Sequence, residues 1–240
     1  MSGITVHHLK VGQGERIPWL LEELNVPYEL KLYKRDPVFS PPELQALHPL
    51  GASPVLEDAT FDKENPLLLA ESSAVAEYLI HKHGNGRLAL PPSHPNYADY
   101  LYWFHFSNGN LQPALHRRML ARSLAGSEDN PRYQSTAERT HRALAHFDDR
   151  LRNNTYLAGE EFTAADVMSV WSVSTMRVFE PIDLTEFPGI QKWLKTCTDR
   201  PAYRAANKKA DPELVIEELI SIKGPAPFSV SGRPKTDDTK

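Results

Sequence analysis

The hydrophobic periodicity of this chain changes once, at a Gly- and Pro-rich stretch covering residues 84–95, and the change divides the fold into two unlike units. The stretch reads Gly84-Asn85-Gly86 and then Pro91-Pro92-Ser93-His94-Pro95, punctuation that neither helix nor strand tolerates. Before it, short strand-like runs alternate with helical stripes. Residues 4–9 are short and β-branched, a strand pattern. Ile17, Leu20, Leu21 and Leu24 recur at i, i+3, i+4 and i+7, the apolar face of a helix. Pro18 suits that helix's first turn, where a missing N–H costs little. Residues 28–33, 54–57 and 66–70 read as three more strands, the last two joined by the polar stretch 58–65. Ser72 caps a second helix whose Val75, Tyr78 and Leu79 face inward. The order β-α-β, connection, β-β-α predicts a mixed four-stranded sheet with helices packed on it.

Beyond the stretch the pattern is helical almost throughout. Residues 98–122 open with Tyr100, Trp103, Phe104 and Phe106, and Gly109 and Pro113 should bend that helix. A break at 126–131 precedes a helix over 133–152, with Ala143, Leu144, Phe147 and Leu151 along one side. Thr163-Ala164-Ala165-Asp166 has capping-box spacing. Residues 188–197 and 201–209 give two short closing helices. The expected division is therefore an α+β unit over 1–88, a linker over 89–95, and an all-helical unit over 96–223. The aperiodic stretch 224–240 is expected to be a mobile tail.

Composition removes several classes of function. The 240 residues suffice for a sizeable core, and 40% hydrophobic with 24% charged residues excludes disorder of the whole chain. A net charge of -4 offers no basic field for nucleic acid. The single cysteine, Cys197, excludes internal disulfides, a Cys-rich zinc site and a CxxC redox pair, and fits a reducing compartment. No basic-then-apolar leader opens the sequence, and no apolar run approaches the roughly 20 residues of a membrane span. The expectation is a cytoplasmic globular protein with no membrane or nucleic-acid partner.

Three local features carry chemistry. Ser53-Pro54 stands at a strand start, where proline calls for a sheet edge or a cis bond. A cis bond would leave the Ser53 backbone free for a peptide-like ligand; a plain loop-to-strand proline is the alternative. Glu71-Ser72-Ser73 opens a helix, where unpaired N–H groups favour an anion. With the Glu71 carboxylate for an amine, the site could grip an amino-acid head group, or it could be a simple cap. Gly12-Gln13-Gly14 follows the first strand as a tight turn baring backbone N–H groups; as a phosphate loop it lacks the third glycine and the Lys-Ser/Thr. The histidines give no metal site: His7 and His8 face opposite ways on a strand, and no HxxxH occurs with a third ligand. Cys197 reads as a buried, inert thiol.

Taken together, these runs resemble the glutathione transferase superfamily over about residues 4–210, and its fungal members in particular. Arg16-Ile17-Pro18-Trp19-Leu20-Leu21-Glu22-Glu23-Leu24-Asn25-Val26-Pro27-Tyr28-Glu29-Leu30 is similar to the family's first helix and second strand. Tyr33-Lys34-Arg35-Asp36 with Pro41-Pro42-Glu43-Leu44 resembles the fungal connection. His48-Pro49-Leu50-Gly51-Ala52-Ser53-Pro54-Val55-Leu56 resembles the loop ending in the family's cis-proline, and Glu71-Ser72 its glutamate–serine pair. Tyr156-Leu157-Ala158-Gly159 with Thr163 to Asp166 resembles the staple and capping box of the second domain. Phe187-Pro188 through Trp193-Leu194 and Arg200-Pro201-Ala202-Tyr203 resemble its closing helices.

The resemblance implies a thioredoxin-like N-terminal domain, an all-α C-terminal domain, a homodimer and glutathione as substrate or cosubstrate, with no metal. Ser53 and Pro54 would meet its cysteinyl part; Glu71 and Ser72 would hold its γ-glutamyl ammonium and carboxylate. A hydrophobic second substrate would lie against Tyr100, Trp103, Phe104, Asn108 and Asn110. Two departures matter. Ala52 stands where a lysine or another polar residue often meets the glycyl carboxylate. Gly12 stands where many members carry the serine whose hydroxyl stabilises the thiolate, which leaves Gln13 and the turn's N–H groups as the nearest activators. The function implied is addition of the glutathione thiolate to an electrophile, in detoxification or a specialised pathway. A glutathione-dependent isomerase, lyase or dehalogenase, and a non-enzymatic binding or regulatory protein of the same fold, are the alternatives.

Overall fold

The computed structural model describes residues 3–36 and 39–227. Four strands form one sheet in the order β2-β1-β3-β4: β1 (Ile4–Leu9), β2 (Glu29–Tyr33), β3 (Val55–Asp58) and β4 (Leu67–Ala70). β2 is parallel to β1 with Leu30 opposite Val6, whereas β3 is antiparallel to β1 with Leu56 opposite Val6. β4 is antiparallel to β3. The mixed sheet thus follows the expected order of elements. Because side chains alternate along a strand, β1 serves two faces. Ile4 and Val6 join the main core with α1 (Arg16–Leu24) and α3 (Ser72–Lys82). Leu9 packs on the other side with Tyr33 and with Leu44 of the one-turn helix α2 (Pro42–Gln45).

The helical unit runs α4 (Tyr97–Phe106), α5 (Gln112–Ala125), α6 (Pro131–Asn153), α7 (Ala164–Val173), α8 (Pro188–Thr198), α9 (Pro201–Ala210) and α10 (Ile216–Leu219). All ten residues of α7 are buried, so it is the axis of this unit. The sequence pattern reads 98–122 as one bent helix. The structure divides it into α4 and α5 through a π-helical turn, Ser107–Leu111. The turn holds Gly109, and Pro113 follows it with no N–H for a regular ladder. α10, at four residues, is too short for its periodicity to show in the sequence.

The two units share one continuous core. α1 lies against α9, with Trp19 edge-on to Tyr203 at 4.9 Å between ring centroids. Arg200 grips Glu23 through two hydrogen bonds of 2.6 and 2.7 Å and lies 3.7 Å from the Phe162 ring centroid. The C-terminal segment is fastened by Arg177, fully buried, which donates to the carbonyls of Ile182, Leu219, Ser221 and Ile222. Gly224, where the sequence suggests a tail begins, packs so closely that a Cβ would come within 2.9 Å of Arg177 Nη2. Residues 228–240 of that expected tail lie outside the described residues.

The capping box forms as its spacing predicts. Asp166 accepts from the Thr163 and Leu157 N–H groups at 3.0 Å each, and from Trp193 Nε1 at 2.8 Å. Burial pushes its carboxyl up to about 6 against the pull of those hydrogen bonds. Every neighbour is a donor, so Asp166→Asn sets an NH2 group against N–H groups. Stability should fall by about 1–3 kcal/mol, the cost of unsatisfied buried donors; urea denaturation with an unchanged midpoint would refute this.

Candidate functional site

The site begins where β1 ends. Val11 takes φ +53°, a left-handed conformation that a β-branched residue enters only at a cost of about 1–3 kcal/mol. Three contacts hold it there. Its N–H donates to Asp211 Oδ1 at 2.8 Å, its carbonyl accepts from Arg35 Nη2 at 2.8 Å, and its side chain packs with Val178 and Leu219. The other oxygen of Asp211 accepts from His8 Nε2 at 2.7 Å. The C-terminal segment therefore fixes the turn. Gly12 is extended at φ -138°, but a Cβ there would lie 2.7 Å from the Leu9 carbonyl oxygen. A Cβ on Gly14 would lie 2.7 Å from both His8 Nδ1 and Ser53 Oγ. Only glycine lets the turn approach Ser53 this closely.

The Ser53–Pro54 peptide is cis. The Ser53 hydroxyl is engaged beneath it, accepting from the Leu9 N–H at 3.0 Å and donating to the His7 carbonyl at 3.4 Å. Its backbone N–H and C=O make no turn, loop or cap hydrogen bond among the described residues. At the head of α3, Glu71 takes φ +71°, ψ +109°, and its side chain is exposed. Strain of this kind is kept where surrounding structure or function requires it. The first N–H groups of α3 precede the ladder, which begins with Val75 donating to the Glu71 carbonyl.

Arg16 joins these pieces, although it is 1% exposed. Its Nη1 reaches Gln13 Oε1 at 3.3 Å, Ser72 Oγ at 3.2 Å and Asn108 Oδ1 at 3.0 Å. Its Nη2 reaches Gln112 Oε1 at 2.9 Å and Ser172 Oγ at 3.5 Å. The guanidinium lies 5.4 Å from the Trp171 ring centroid, a cation–π contact. Burial lowers its pKa to about 9, so it remains a cation at neutral pH. Its neighbour Glu15 accepts from the Thr175 hydroxyl at 2.7 Å, and burial pushes that carboxyl up to about 8. Arg16 forms no ion pair among the described residues.

The structure brings Gln13, Ser72 and Asn108 together around Arg16 and sets Ser53 against Gly14 of the same turn, with Pro54 and Glu71 beside their chain neighbours. It divides the residues expected to line a second-substrate pocket. Asn108 joins Arg16 because the π-helical turn rotates it there. Asn110 is exposed on the same turn. Tyr100 and Phe104 line a cavity of about 540 Å³ between α3, the segment after it and α4. Trp103 packs in the core, its ring against Phe106, Phe147 and His146 at 5.0–5.7 Å. A period of 3.6 marks a buried face without saying which neighbour buries it. Cys197 is buried, and burial pushes its thiol well up. Among the described residues, no group of three His, Cys, Asp or Glu could hold a metal ion, and no helix is long and apolar enough to cross a membrane.

Sequence reasoning missed Arg16, Gln112, Ser172 and Asp211. An arginine opening an otherwise apolar helix face was a signal for the first. The others are single polar residues within helical stretches or just past one, and nothing local marks them.

Two family models match the sequence: "Glutathione S-transferase, N-terminal domain" over residues 13–82 and "Glutathione S-transferase, C-terminal domain" over residues 105–201. Glutathione S-transferase 3 of Schizosaccharomyces pombe is 32% identical over 226 residues, covering 87% of this chain and 88% of its own length. Glutathione S-transferase 1 of Saccharomyces cerevisiae is 30% identical over 226 residues, covering 86% and 95%. The solved structure of a glutathione S-transferase from Actinobacillus pleuropneumoniae superposes with a TM-score of 0.76 at 30% identity, covering 87% of this chain and 93% of that one. The thioredoxin-like sheet, the helical second unit and relatives matched over most of their length lead to one assignment: the chain belongs to the glutathione S-transferase superfamily, as a fungal-type member.

Proposed function

We propose that this protein binds reduced glutathione between the turn at residues 12–16, cis-Pro54 and the start of α3, and adds its thiolate to a small hydrophobic electrophile. One observation carries the reading: the same turn sets Gly14 against Ser53, whose backbone is unpaired, and carries Gln13, which shares the buried Arg16 with Ser72 at the start of α3. Ser53 has main-chain groups free for the cysteinyl residue. Ser72 and the first N–H groups of α3 take the γ-glutamyl carboxylate, and Glu71 takes the ammonium. The thiol then meets the turn, where Gln13 is the side chain able to donate to it. A thiolate attacks far faster than a thiol, so each hydrogen bond that favours the charged form raises the reactive fraction at neutral pH. Asn110 and Gln112 belong to the helical unit, and the second substrate approaches from that side. Cytoplasmic location and a two-fold homodimer are part of this reading. Phe61, Leu67 and Leu68 are 68%, 40% and 45% exposed. The cavity lined by Leu90, Tyr97, Tyr100, Leu101 and Phe104 adds to the apolar surface a second copy would cover.

Three measurements test this. Glu71→Ala removes the ammonium's partner, and glutathione affinity should fall about tenfold or more, the range for a hydrogen bond to a charged group. Equal affinities by calorimetry would reject the site. Sedimentation should give twice the chain mass of 27.1 kDa at micromolar concentration; a monomer mass would reject the dimer. Gly12→Ser meets the Leu9 carbonyl at 2.7 Å, so overpacking should cost about 1–3 kcal/mol of stability. Conjugation of aromatic halides should not rise. A faster, equally stable variant would show that the turn yields and accepts a hydroxyl.

A further inference from the structure

We propose that Arg16 is a positioning residue whose hydrogen bonds turn the Gln13 amide N–H2 and the Ser72 hydroxyl hydrogen outward, toward the thiolate and the carboxylate of bound glutathione. The inference rests on the glutathione reading above and adds to it what sets the polarity of the site. A guanidinium has five N–H donors and no acceptor. Whatever it touches must therefore present oxygen. Gln13 Oε1, Asn108 Oδ1 and Gln112 Oε1 all lie 2.9–3.3 Å from Arg16, so three side-chain amides have their orientation fixed by one charge.

The nitrogens follow from that. Asn108 Nδ2 donates to Ser72 Oγ at 3.0 Å, and Gln112 Nε2 donates to Gln13 Oε1 at 2.9 Å. Gln13 Oε1 thus takes two donors from inside, and reversing the amide would set its nitrogen against both. Its NH2 group has no acceptor among the described residues. Ser72 Oγ likewise takes two donors, Arg16 Nη1 at 3.2 Å and Asn108 Nδ2. Both its lone pairs are used, and its hydrogen is left to donate. One buried cation is thereby converted into two donors that face the ligand, each strengthened by the chain of bonds behind it.

The cation itself forms no ion pair among the described residues. Glu15 is bonded to Thr175, and burial pushes its carboxyl up to about 8. Asp211 is taken up by His8 and Val11. Glu71, exposed at the rim, has no bond to Arg16. A buried positive charge in this state favours an arriving anion. The arrangement also accounts for Gly12: with the hydroxyl absent, an amide held by Arg16 supplies the donor.

The test is the thiol pKa of bound glutathione, followed by the ultraviolet absorbance of the thiolate, in a double-mutant cycle. Gln13→Met is close in shape and has no donor; the thiol pKa should rise by about one unit. Arg16→Lys keeps the charge but loses the fork that holds three amides, and it should raise the thiol pKa in the parent protein. In the Gln13→Met background the same change should add almost nothing, because Arg16 acts through Gln13. If Arg16→Lys does not fold, Gln112→Leu takes its place in the cycle, since it frees the Gln13 amide from the other side. Equal thiol pKa values in all variants, or additive effects of the two changes, overturn the proposal while calorimetric binding leaves the glutathione reading intact. A parent protein that binds no glutathione overturns both.

Discussion

Arg16 carries a charge with 1% of its surface exposed, at the seam between the sheet unit and the helical unit. Taking such a charge out of water costs several kcal/mol unless protein dipoles replace the lost solvent. Here the replacements come from both sides of the seam: Gln13 and Ser72 from the first unit, Asn108, Gln112 and Ser172 from the second. Docking the two units is thus also the solvation of Arg16, and a site at their junction inherits the geometry that this solvation requires. The π-helical turn fits the same logic. It rotates Asn108 toward the guanidinium at the point where Gly109 and Pro113 already weaken a regular helix.

The second constraint comes from the far end of the chain. Val11 does not adopt a left-handed conformation by preference. Asp211 holds its N–H, Arg35 holds its carbonyl, and Val178 and Leu219 bury its side chain. Arg177 in turn fixes the carbonyls around Leu219 and Ile222. The strain at the turn is therefore balanced by a C-terminal segment that is itself clamped from inside the helical unit. The turn after β1 and residues 211–222 form one mechanical unit, although some 200 residues separate His8 and Val11 from Asp211.

What the sequence made legible was local. The capping box places its partners three residues apart, the first helix shows its stripe within eight, and both appear as expected. Ser53-Pro54 and Glu71-Ser72 could be recognised as dipeptides with chemical potential, and the family resemblance supplied their convergence. The polar seam could not be read in this way. Arg16 meets Asn108, Gln112 and Ser172 across 92, 96 and 156 residues, and each of these is an ordinary helix residue by composition. Trp103 shows another limit of local reading. Its aromatic neighbourhood was plain, but Tyr100, Phe104 and Trp103 point to different neighbours around one helix, and only packing reveals which side is core.

Gly12 then takes on a different meaning. Considered as a missing serine, it suggests a site that has lost its activator. In the folded chain the Leu9 carbonyl occupies the space a side chain would need, so the turn is built around the absence of one. Gly14 shows the same crowding against His8 and Ser53. A turn pressed this closely onto β1 and the cis-proline loop has no room for a hydroxyl on its own backbone. Any side-chain donor it offers must be longer than serine and be aimed by something rigid. Gln13 has the length, and a buried guanidinium with its fixed fork has the rigidity.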